Sequence, residues 1–256
     1  MKEKSIFVYG YHAVRAALQQ APLHAQVLWL QQGRDDQRAK TLCHQAQTNG
    51  VTVQWANQSA LDKKAEEGVH QGFVLQTRPP VFRGDHDLLS DAEQRLAQQP
   101  EQWPCFVVLD GVTDPHNVGA CLRTVAAAGA AGVILARHDS PKLSAVVAKV
   151  SSGAVFSVPV YQVGNVVRSV NALQKLGYWS VAAALGEHSQ SLYALDLNRP
   201  LIWVMGAEGQ GLKRLMLDTC DFQAMIPMTD TVGSLNVSVA MGVVLYESAR
   251  QFRVGL

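Results

Sequence analysis

In the second half of the chain three polar clusters break an otherwise apolar pattern, and each sets hydrogen-bonding side chains beside glycines. The first is Asp110-Gly-Val-Thr-Asp-Pro-His-Asn-Val-Gly-Ala-Cys-Leu-Arg123. Asp114-Pro115 turns the chain, and Asn117 suits either the cap of the following helix or a ligand. Arg123 stands among small and apolar neighbours that imply close packing, so its guanidinium needs an anion or a carbonyl. That partner is either Asp110 or Asp114, or a substrate. The second cluster, Met205-Gly-Ala-Glu-Gly-Gln-Gly-Leu212, is spaced GxxGxG, the wrong order for a dinucleotide fingerprint, and Leu212 stands where a P-loop needs Lys. NAD and ATP are not supported. What remains is a glycine turn that lets backbone approach a small ligand and holds Glu208 in a loop, or a plain turn with a solvated Glu. The third cluster, Ile226-Pro-Met-Thr-Asp-Thr-Val-Gly-Ser-Leu-Asn-Val-Ser238, offers Ser234 and Asn236 as helix caps, or as partners for a carboxylate or the edge of an adenine. The histidines form no HxxxH or HExxH pair and the cysteines no CxxC, so no metal site is expected. No GxSxG elbow supports a hydrolase.

Each cluster follows an apolar run of strand length, where open α/β sheets place their ligands. Strands are expected at 105–110, 132–136, 157–161, 178–183, 201–205 and 222–227, alternating with helices at 118–129, 141–151, 165–176, 210–217 and 235–252. Such alternation argues for a mostly parallel sheet covered by helices. The last helix is apolar or small around most of its circumference, so it is either central to the fold or part of a subunit interface. Residues 1–77 hold a smaller α/β alternation, with strands at 6–9, 26–30, 51–55 and 72–76. Between them, 78–103 is proline-punctuated and acidic, which reads as a linker with one short helix, and 104–256 forms the second domain.

Of 256 residues, 48% are hydrophobic and 17% charged, which excludes disorder. The formal net charge is +1, so any nucleic-acid site must be local. Residues 1–78 carry 9 Lys/Arg against 6 Asp/Glu, whereas 79–256 carry 13 against 15, so the basic excess lies in the N-terminal third. Four widely spaced cysteines, no signal-peptide pattern and no membrane-length apolar stretch predict a soluble, cytoplasmic protein with reduced thiols.

Taken in order, the three clusters resemble the motifs of the SpoU (TrmH) family of RNA ribose 2′-O-methyltransferases. Lys149-Val-Ser-Ser-Gly-Ala154 and Val158-Pro-Val160 resemble its middle segment, so the likeness covers 104–253. Tyr9-Gly-Tyr-His-Ala-Val14 and Val69-His-Gln-Gly-Phe73 resemble its substrate-binding domain, a small module similar to ribosomal RNA-binding folds. The resemblance implies a C-terminal α/β knot, in which the last segment threads into a trefoil, a feature that periodicity cannot propose. It also implies homodimerisation through the knotted domain. S-adenosylmethionine is the implied methyl donor, held near Gly206, Ile226 and Leu235. Arg123 is the implied catalytic arginine, with Asn117, Glu208, Ser234 and Asn236 around it. The two-domain layout is similar to the branch that methylates a guanosine of 23S ribosomal RNA. The alternatives are a tRNA ribose methyltransferase and a non-catalytic RNA-binding ribosome-assembly factor.

Overall fold

Cys105–Asp110 (β5 below) is apolar at five successive positions and buried at all of them, as a strand covered on both faces must be. In the computed structural model, which describes residues 5–98, 103–138, 140–229, 231 and 233–254, it is an inner strand of a seven-stranded sheet. The chain forms two compact units, Met1–Val81 with Lys142–Ser157, and Phe82–Pro141 with Val158–Leu256.

The first unit runs β1 (Ile6–Tyr9), α1 (Tyr11–Gln20), β2 (Ala25–Gln31), α2 (Gln37–Thr48), β3 (Thr52–Ala56), α3 (Gln58–Lys64), β4 (Phe73–Thr77). Its sheet order is β1-β4-β2-β3, with β4 antiparallel to β1 and β2, and β2 parallel to β3. Strands β1, β2 and β3 therefore end at one edge. Helix α1 buries Ala13, Val14, Ala17 and Leu18, the single stripe that a 3.6-residue period allows. Asp36 and Asn57 start α2 and α3 by accepting from the Ala39 and Ala60 amides.

The second unit contains α4 (Asp85–Ala97), β5 (Cys105–Asp110), α5 (Pro115–Ala128) and β6 (Gly132–Ala136). The inserted segment Lys142–Ser157 then packs with the first unit, its helix α6 (Ala145–Val150) against β1. The second unit resumes with β7 (Val160–Val163), α7 (Val166–Lys175), β8 (Trp179–Ala183), β9 (Gln190–Ser191), β10 (Leu201–Gly206), α8 (Arg214–Thr219), β11 (Phe222–Met225) and α9 (Val237–Val254). The strand order is β7-β6-β5-β10-β8-β11-β9 and every neighbouring pair is parallel. After β5 the chain steps outward to β6 and β7, then returns across the sheet, and β10 enters beside β5. Its register, from Leu201 opposite Cys105 to Gly206 opposite Asp110, ends both strands level at this reversal of order.

Three expectations need correction. The stretch 78–103 holds the one helix expected there, α4, but is packed rather than a free linker: α4 buries Leu88 and Ala92 in the core with Tyr161, Val163, Val170 and Tyr178, and the Tyr178 hydroxyl donates to the Ala92 carbonyl at 3.0 Å. Residues 99–102 of that stretch lie outside the described residues. The helix expected from 210 begins at Arg214, because the Gly211 amide closes a turn onto the Ala207 carbonyl at 2.9 Å. Within the chain helix α9 is enclosed on one side only, which removes the first of its two alternatives, a place central to the fold, and leaves the second. Val237, Met241, Val244, Leu245 and Ala249 are buried, while Val239 and Tyr246 are 52% and 51% exposed. Among the described residues, no helix is long and apolar enough to cross a membrane.

Candidate active site

Helices α5 and α9 both start at the edge where β5, β10 and β11 end. Asp114 caps α5 by accepting from the His116 amide at 3.0 Å, with Pro115 in the first turn, so Asn117 is not the cap and its side chain is available. Asn236 does cap α9: its Oδ1 accepts from the Ser238 amide at 2.9 Å and from the Ser238 hydroxyl at 2.6 Å. The helices lie side by side and run the same way, meeting at Asn117 and Asn236, then Thr124 and Gly242, then the Ala128 carbonyl and Arg253.

Glu208, in the turn after β10, ties their starts together. Its Oε1 accepts a short hydrogen bond from Asn236 Nδ2, and longer ones from Asn117 Nδ2 and the Val237 amide, each at 3.4 Å. Asn236 Nδ2 also donates to Asn117 Oδ1 at 3.1 Å. Asn117 thus has both ends of its amide engaged. The contribution of Ser238 was not legible beforehand; its signal is the Asn-x-Ser spacing at a helix start.

Glu208 also lines a cavity of about 550 Å³, within the size range of small-molecule sites. Its wall includes Met205, Gly206, Ala207, Leu212, Ile226, Met228, Ser234 and Leu235, and among the described residues no Lys or Arg. A Cβ on Gly206 would sit 2.5 Å from the Gly211 carbonyl carbon, so only glycine lets the turn fold back there. Gly209 and Gly211 take positive φ of 79° and 64°, which glycine adopts without strain. Asp230 and Val232 of the third cluster lie outside the described residues.

Arg123 is placed differently from the packed setting expected of it. It is exposed, and among the described residues it makes no ion pair or hydrogen bond, with neither Asp110 nor Asp114 as partner. The helical period explains this: Val118, Cys121, Leu122 and Val125 form the buried stripe of α5 and Arg123 falls outside it. Six residues beyond Asn117, it is about 240° further round and about 9 Å along the axis. Burial pushes the Cys121 thiol up to about 12, and its side chain belongs to the buried stripe of α5. Among the described residues no group of His, Cys, Asp and Glu could hold a metal ion.

The profile of the SpoU rRNA methylase family matches residues 104–246, and that of RNA 2′-O ribose methyltransferase substrate-binding domains matches 7–82. The chain belongs to the SpoU rRNA methylase family. Within that family it is 45% identical, over 99% of its own length and all of the relative's, to the 23S rRNA (guanosine-2′-O-)-methyltransferase RlmB of Shewanella oneidensis. The solved SpoU methyltransferase AviRb from Streptomyces viridochromogenes, in complex with AdoMet, shares the fold with a TM-score of 0.75 at 23% identity, covering 98% of this chain and 92% of that one. The TrmH/SpoU tRNA modifying enzyme of A. aeolicus matches with a TM-score of 0.56 at 28% identity, covering 67% of this chain and 83% of that one. Glu208 is common to the cavity wall and to the Asn117 and Asn236 cluster, so the two features adjoin.

Proposed function

We propose that this chain transfers the methyl group of S-adenosylmethionine to the ribose 2′-oxygen of a guanosine in 23S ribosomal RNA. The observation that carries the reading is Glu208, which lines the cavity and joins Asn117 to Asn236, in a chain 45% identical from end to end to an RlmB. Residues 1–77, with which 142–157 packs, hold the RNA, and the rest of 104–256 carries the chemistry, with α4 of the 78–103 stretch built into that unit's core. A tRNA substrate has less support, since the tRNA modifying enzyme matches 67% of this chain. A non-catalytic assembly factor would have no use for the converging polar cluster.

The cavity fits the donor. It has the right size, mostly apolar walls and a glycine turn for backbone contact, and among the described residues no Lys or Arg lines it to repel a sulfonium cation. Gly206, Ile226 and Leu235 hold the donor, with Ser234 beside them. S-adenosylmethionine supplies an electrophilic methyl group there. Asn117, with both amide ends taken, positions Glu208. Glu208 Oε2 has no partner among the described residues and is the acceptor left for the ribose 2′-hydroxyl. Arg123, exposed and unpaired, grips the phosphate next to the target ribose with a planar fork that Lys cannot reproduce.

Two finer readings accompany this. The C-terminal segment threads into a trefoil knot, and the protein is a homodimer joined through the exposed apolar stripe of α9. Val239 and Tyr246, two helical turns apart on one face, support the second reading. Light scattering should give twice the chain mass, and Tyr246→Glu should give monomer; a wild-type monomer would refute the homodimer. Ribosomal RNA as substrate sets the work in the cytoplasm.

The deciding experiment incubates the protein with methyl-labelled S-adenosylmethionine and unmodified 23S RNA, then locates the label by nuclease digestion and mass spectrometry. A single 2′-O-methylguanosine that disappears in Arg123→Ala is expected. Label on tRNA instead would overturn the substrate, and near-normal turnover by Arg123→Lys would overturn the bidentate role of Arg123.

A further inference from the structure

At the edge of the first unit where β1, β2 and β3 end, aromatic rings and guanidinium groups are interleaved outside any site described above. Tyr11 at the start of α1 packs edge-on to His12 at 5.2 Å and against Phe73 at 5.7 Å. Arg38 of α2 lies over the Tyr11 ring at 5.2 Å, and Arg34 over Phe73 at 4.2 Å. Arg34 is committed to Asp36 and to the Gln71 carbonyl, so it is structural. Arg38 and His12 are exposed, as is Arg15 one turn along α1, and none of the three has an acidic partner among the described residues.

The loop beside them is strained. Of the non-glycine residues with positive φ among the described ones, Glu66, Glu67 and Gln71 fall in this one short segment, with φ of 49°, 61° and 54°. Such conformations persist only where the surroundings over-determine them, and they cluster at functional sites. Here a buried histidine does so. His70 Nδ1 accepts from the Gly72 amide at 2.9 Å, which leaves Nε2 as the donor to Asp62 at 2.8 Å, and the pair clamps Gln71 between them. Gln71 Oε1 accepts from the Tyr11 amide at 3.3 Å, and its exposed amide nitrogen has no partner among the described residues.

We propose that this edge, Tyr11, His12, Arg15, Arg38 and Gln71, grips an unpaired nucleotide of the RNA substrate. The base stacks on the Tyr11, His12 and Arg38 group, the Gln71 amide bonds its edge, and Arg15 meets the phosphate. Unpaired bases are what aromatic and guanidinium planes recognise in RNA, while a duplex would need a long basic track. The basic excess of residues 1–78 agrees in sign with a polyanion. The proposal rests on the reading that the substrate is RNA, and it makes these residues determinants of substrate affinity rather than of chemistry.

The test measures binding of the unmodified 23S transcript without cofactor, and separately KM and kcat for methyl transfer, in wild type, Arg38→Glu and Gln71→Gly. Glycine accepts the positive φ, so Gln71→Gly removes the amide while keeping or raising the unfolding temperature. Each variant should weaken RNA binding and raise KM for RNA about tenfold, with kcat within about twofold and cofactor affinity unchanged. Unaltered RNA affinity in both variants would overturn the grip. If wild-type protein binds the transcript and both variants lose that binding, but no methyl is transferred, the grip stands and the proposed function fails. Equal loss of kcat and stability would reduce the edge to a structural element.

Discussion

Glu208 gathers three N–H donors onto one oxygen from positions far apart in the chain, Asn117, Asn236 and the Val237 amide. The types of these residues were legible in the sequence as polar interruptions of apolar runs. Their convergence was not, because it depends on Asp110 and Gly206 ending level, which residue type does not encode. Arg123 shows the converse: its small neighbours suggested packing, yet an alanine-rich helix surface is also compatible with exposure. The proposed function gives the two oxygens of Glu208 separate roles, Oε1 holding the asparagine amides and Oε2 accepting from the ribose hydroxyl. Glu208→Gln keeps an acceptor for the asparagine amides but replaces one oxygen by a donor, so the fold should hold while the acceptor for the hydroxyl is lost. The unfolding temperature should stay near wild type, with kcat down about a hundredfold and cofactor affinity changed little. Unchanged kcat would remove Glu208 from proton handling. Asn236→Ala should instead cost about 1 kcal/mol of stability through the lost cap, read by chemical denaturation.

At the level of elements, the glycine turn after β10 is the most sharply constrained part of the site. A Gly206→Ala methyl would meet backbone atoms of Gly211 and Leu212 at 2.5 to 2.8 Å, and backbone cannot swing aside as a side chain can. The turn must open, so cofactor affinity should fall at least about tenfold and stability by about 1–3 kcal/mol, read by calorimetric titration and thermal unfolding. Gly164→Ala, with nothing within 4 Å, should leave both unchanged. Equal effects of the two would show that the crowding at Gly206 is not what shapes the turn. The long apolar strands were legible because runs such as 105–110 and 201–206 admit no other burial. Helix α4 was legible only as a short helix in a linker; its place in the core was not, since Leu88 and Ala92 are its only fully buried residues and they stand in an acidic, proline-flanked stretch. The two-residue β9 has no side-chain signal at all; it exists through backbone pairing with Ala224 and Met225.

For the whole molecule, alternation of strand and helix fixes a parallel sheet but not its order, because each parallel crossover can reach either side. The insertion of β10 beside β5, which builds the site, was therefore invisible to periodicity. What that burial does to titratable groups predicts how the fold responds to pH. Burial pushes the thiols of Cys121 and Cys220 up to about 12 and that of Cys105 further up, and raises the phenols of Tyr161 and Tyr178. A group that ionises more readily unfolded than folded favours the unfolded chain as it loses its proton. Stability should therefore decline above about pH 9, by on the order of 1 kcal/mol per pH unit for each thiol that titrates only in the unfolded state. On the acid side the sign reverses. Hydrogen bonds from Arg250 hold Glu247 on α9 down to about 2, so its contribution is complete above the ordinary carboxyl range and is lost as pH falls through 2. Thermal unfolding between pH 3 and 11 should show a plateau near neutrality with a steeper fall on the alkaline side, where several buried groups act together. Cys121→Ala should reduce that alkaline slope while lowering the plateau, because it removes a titrating group and leaves a small cavity in the buried stripe of α5. A slope equal to wild type would show that Cys121 is not among the groups that set it.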